Sequence, residues 1–113
     1  MANSFVNKKV DLTSTAATVL YTVPDASTAI IKSILVSEDS GNADTITVTI
    51  TDTSDAVFSL FKTKAISANA TTELLTAPLV LQQKEVLKVT AATANRLHVV
   101  LSALESKPRE VTT

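Results

Sequence analysis

The sequence has no cysteine, no tryptophan and one glycine among 113 residues. Without cysteine there can be no disulfide, no thiolate metal site and no cysteine nucleophile. The same absence suits assembly in a reducing cytoplasm. Gly41 alone cannot furnish a Gly-rich phosphate cradle, and turns elsewhere must avoid positive φ or use Asn and Asp. Aromatic residues make up 4% of the chain, poor material for stacking bases or sugars. Formal net charge is −1, and beyond Lys8-Lys9 there is no basic cluster, which argues against nucleic-acid binding. No apolar run approaches the roughly 20 residues of a membrane helix. Residues 1–9 lack a signal-peptide core and cleavage pattern, so a soluble, unexported chain is expected.

What is present is aliphatic alternation. In Asp44-Thr45-Ile46-Thr47-Val48-Thr49-Ile50-Thr51-Asp52 every second residue is apolar. Strand geometry sends Ile46, Val48 and Ile50 into a core and the threonines to water. Further extended segments are read at about 5–12, 16–23, 30–37, 57–65, 86–91 and 96–105, with short strands around Pro78. On 30–37, Ile30, Lys32, Ile34 and Val36 should share one face. On the last strand Leu97, Val99, Leu101 and Ala103 should. Pro24-Asp25 fits a type I turn with proline at its second position. The expectation is an all-β, single-domain antiparallel β-sandwich over residues 1–113, jelly-roll or Ig-like, with eight or nine short strands. Residues 1–11 are an N-terminal arm or the first strand, and 106–113 a polar tail. Phe5, Val6, Lys8 and Lys9 are the candidate partner-contact segment.

Catalytic constellations are missing from the linear pattern. His98 is the only histidine, with no acidic neighbour in sequence, and reads as a hydrogen-bonded or surface residue. Serine hydrolysis needs a base and an orienting acid that this chain does not place. Asp39, Asp44, Asp52 and Asp55 flank the threonine strand without the ligand spacing of a calcium loop, and read as turn formers. No enzyme activity, cofactor or metal is expected.

One pattern goes beyond composition. Thr18-Val19-Leu20-Tyr21-Thr22-Val23-Pro24, Thr28-Ala29-Ile30-Ile31-Lys32-Ser33-Ile34-Leu35-Val36-Ser37, Pro78-Leu79-Val80-Leu81 and Ser102-Ala103-Leu104-Glu105 occur in fixed order. Over residues 12–105 this resembles a group of small virion proteins of tailed bacteriophages. The chain departs from that group at Lys84-Glu85, where glycine-aspartate is usual, and at Asp25-Ala26, where glycine often follows the proline. The resemblance implies a non-enzymatic β-sandwich subunit, foremost a capsid decoration (cement) protein stabilising the major capsid lattice. The alternatives are a tail, head-tail or fibre accessory module and, behind it, a host-surface carbohydrate-binding module. The implied partners are the major capsid protein or other virion proteins, with no direct nucleic acid and no membrane. A homo-oligomer is expected, a trimer favoured by threefold lattice positions. The implied location is the virion, assembled in the bacterial host cytoplasm.

Overall fold

The computed structural model describes residues 2–107. These form β1 (Ala2–Asp11), β2 (Thr18–Thr22), β3 (Thr28–Glu38), β4 (Asp44–Thr51), β5 (Val57–Ile66), β6 (Thr71–Glu73), β7 (Leu79–Leu81), β8 (Val86–Ala91) and β9 (Leu97–Lys107), with no helix among the described residues. One sheet runs β1-β9-β3 and ends in β6 and β7, which share the outer edge of β3. The other runs β2-β8-β4-β5, and every pairing is antiparallel. With β6 and β7 taken as one interrupted strand, this is the eight-stranded jelly roll. The Ig-like alternative is set aside, because there the first two strands share a sheet, whereas β1 pairs with the last strand.

Strands alternating cleanly in sequence do so in space. Ile46, Val48 and Ile50 of β4, Leu87, Val89 and Ala91 of β8, and Leu97, Val99, Leu101 and Ala103 of β9 line one core between the sheets. The β4 threonines are half-buried rather than exposed, since strands flank them on both sides. The Thr47 hydroxyl accepts the Thr63 amide at 3.0 Å.

Bulges overturn the simple face assignments elsewhere. The β3–β9 register slips between Ile31 and Ser33, so Ile31, Ile34 and Val36 are buried while Lys32 is exposed. β5 slips twice against β4, which puts both Phe58 and Phe61 on the core side, opposite Ile50 and Val48. Opposed residues on paired strands share a face. Sheet cover runs out there, and Phe58 remains 55% exposed.

Turn geometry also departs from expectation. Ser27 N–H donates to Pro24 C=O, so proline is the first turn residue, and Ala26 stands third with φ 57°. A left-handed third residue is the mark of type II, not type I. In 82–85, Glu85 N–H donates to Gln82 C=O and Lys84 has φ 67°. Both turns therefore keep a conformation natural to glycine while carrying side chains. Asp55, Asn69 and Asn95 supply other left-handed positions, as the glycine shortage requires. The molecule measures 58 × 27 × 23 Å with a radius of gyration of 15.0 Å. That exceeds the roughly 13 Å of a round domain of this length. The cause is the length of β1, β3 and β9, at 10, 11 and 11 residues, beside a β2 of 5.

Candidate functional site

Three polar clusters could have been sites, and each is closed within the chain. β1–β9 pairing sets Asp11 opposite His98, and the β3–β4 loop brings Asp39 to its other side. Asp11 Oδ1 lies 3.2 Å from His98 Nε2 and Asp39 Oδ2 lies 3.5 Å from Nδ1. The sequence reading missed this bracket because the partners are 87 and 59 positions away; the β1–β9 register was the signal needed. The two carboxylates flank the partly exposed imidazole on opposite sides and orient it. Among the described residues no group of three or more His, Cys, Asp or Glu is placed to hold a metal ion.

The second cluster is built on Glu38, 2% exposed at the end of β3. Its carboxylate accepts the Ser40, Gly41, Asn42 and Asn69 amides and the Ser40 hydroxyl. Burial pushes its pKa up, but the Ser40, Asn69 and Gly41 donors outweigh burial and bring it down to about 2. Glu38 thus replaces main-chain partners for two loops at once. The third is Tyr21, buried in β2 and bonded to Glu105 of β9. Asp44 and Asp52 accept main-chain amides in neighbouring turns, Thr93 for one and Ser54 and Ala56 for the other. They act as the turn formers expected.

The candidate contact segment lies in β1, paired with β9 from Ala2↔Lys107 to Asp11↔His98 without a slip. In this subunit it is a strand of its own sheet. Val6 packs against the core, whereas Phe5, Lys8 and Lys9 are exposed. The other sheet edges are interrupted. β2 and β5 carry bulges without glycine, and β6 and β7 are three-residue pieces. Bulges and short edge strands discourage pairing with a foreign strand. A shallow groove of about 290 Å³ lies between β5 and the β6–β7 connection, lined by Leu60, Phe61, Leu74, Leu75, Pro78 and Leu79 among others. Its lining holds no titratable side chain, so it offers contact area and no chemistry.

No protein-family model matches the chain, and no curated protein does. A solved structure does resemble it, described as "Bacillus endospore appendages form a novel family of disulfide-linked pili". The TM-score is 0.52 at 12% identity, over 95% of this chain and 91% of that one. The likeness is one of fold alone. It agrees with a β-sandwich.

Proposed function

We propose that the chain is a non-enzymatic structural subunit of a tailed-bacteriophage virion, foremost a capsid decoration (cement) protein bound to the major capsid protein. The observation that carries this reading is how the polar groups are spent. His98, Glu38 and Tyr21 are all engaged inside the subunit, while Phe5, Val57, Phe58 and Val80 are left exposed. Phe5 and Val80 lie on one sheet and Val57 and Phe58 on the other, and exposed apolar surface of this kind marks contact with other macromolecules. The jelly roll, an architecture used by viral capsid domains, and the phage-like sequence pattern over 12–105 support the same reading. Cement function asks for contact area and rigidity, both of which a filled sandwich supplies. The location that follows is the virion, reached after assembly in the host cytoplasm.

A tail, head-tail or fibre accessory role is the second reading. It is favoured by the pilus-forming neighbour, although a chain without cysteine has no counterpart to that neighbour's disulfide links. A carbohydrate-binding role has less support, since the exposed rings Phe5 and Phe58 lie on different sheets and form no platform. Copy number in purified particles tests the choice. Decoration predicts copies on the order of hundreds, in proportion to the major capsid protein, and a tail or connector role roughly six or twelve. Absence from particles would remove both.

A further inference from the structure

The outer face of the β1-β9-β3-β6/β7 sheet is turned away from the core and should be polar. The register instead lays an apolar row across it. Phe5 is opposite Leu104, Leu104 opposite Ile30, and Ile30 opposite Val80. The strand neighbours Val6, Ala103, Ile31 and Leu81 pack inward, so alternation sends all four row members outward. The end members Phe5 and Val80 are 82% and 53% exposed. A second row lies two pairs along: Lys9, Val100, Leu35 and Glu73. It carries a cation at the β1 edge and, at the β6 edge, the Glu73 carboxylate, which also accepts the Ser33 hydroxyl and the Ile34 and Leu75 amides. Between the rows are the neutral Asn7, Ser102 and Ser33, with the exposed Lys32 at the bulge beside Ser33.

We infer that this face is an interface between two copies of the chain, related by a two-fold axis parallel to the strands. Such a rotation exchanges the sheet's edges but keeps each row at its own level. Phe5 then covers the partner's Val80, Leu104 covers the partner's Ile30, and Lys9 meets the partner's Glu73, each contact occurring twice. The other in-plane two-fold, along the rows, sets Val80 against a carboxylate and Lys9 against Phe5, pairing no opposite charges. Four strands about 4.8 Å apart and roughly ten residues long cover about 600 Å² per subunit, or about 1,200 Å² in all. That reaches the lower bound of stable, specific interfaces. The contact closes on a pair, in place of the trimer expected from lattice symmetry, and does not depend on which particle the subunit joins.

Sedimentation equilibrium on the full chain, with carbodiimide cross-linking, tests the interface. The wild-type chain should be a dimer, and Phe5→Ser or Val80→Ser should each weaken it at least about tenfold without lowering the melting temperature measured at concentrations where both chains are monomeric. Mass spectrometry of a mixture of isotope-labelled and unlabelled chains should find a Lys9–Glu73 amide between subunits. The same amide cannot form within a chain, because three strand spacings, about 14 Å, separate the two residues. A monomer at concentrations of about 1 mM overturns the inference. So does an oligomer indifferent to both serine variants, or a dimer that yields no Lys9–Glu73 link.

Discussion

The Tyr21 hydroxyl in β2 donates a 2.5 Å hydrogen bond to Oε2 of Glu105 in β9, tying one sheet to the other. Burial, followed by the bond to Glu105 and the charge of that carboxylate, raises the phenol's pKa well above its ordinary 10.0. A raised pKa means stability present below pH 10 and lost as pH climbs toward the folded value. Tyr21→Phe removes the donor and leaves a half-buried carboxylate unpaired, so it should cost about 2 kcal/mol. Urea denaturation at pH 7 measures this. Between pH 10 and 11.5 the variant should also lose less stability than the wild type.

Glu38 contributes to stability in acid. Its folded pKa of about 2 lies below the ordinary 4.5, so its contribution is complete above pH 4.5 and fades as pH falls toward 2. Glu38→Gln should lower the melting temperature at pH 7, because a neutral amide accepts the clustered amides less strongly. The gap between variant and wild type should narrow as pH falls through that window. A gap independent of pH would show that the loops do not depend on the carboxylate's charge.

Ala26 and Lys84 sit in left-handed backbone where a Cβ is unwelcome. Lys84→Gly should therefore stabilise the fold by about 1 kcal/mol, and Ala26→Gly by a similar amount. The exposed Lys84–Asp25 contact at 3.9 Å offsets little of the first gain. Chemical denaturation reads both. A loss in either variant would mean that the turn's contacts outweigh its strain.

Val48 and Thr47 are adjacent on β4 and face opposite ways. Val48→Asp buries an unpaired charge and should cost roughly 3 kcal/mol or more, enough to threaten folding. Thr47→Asp should cost about 1 kcal/mol, because Thr47 is half-buried and its hydroxyl holds the Thr63 bulge. Melting temperatures of the two variants compare the faces directly, and equal losses would contradict the assignment.

Strands β4, β8 and β9 could be read from the chain because each alternates without interruption, and alternation is a local consequence of strand geometry. Strands β3 and β5 were recognisable as strands, but not their faces. One extra residue at Lys32 reverses every side chain beyond the slip, and the two in β5 reverse those between them. No residue type announces such a bulge. The chain makes its bulges at residues such as Leu20, Lys32, Leu60 and Thr63 rather than at glycine, and partner strands hold them in place.

What the sequence determined by itself is what depends on residue type and short-range period: an all-β sandwich, no thiol chemistry, few aromatics, and turns that must borrow left-handed conformations. The bracket of Asp11 and Asp39 around His98, the Tyr21–Glu105 tie and the row from Phe5 to Val80 were decided only by tertiary structure. Each joins residues far apart in the chain through strand register. Register is set by how all the strands fill one core together, a condition no local stretch contains.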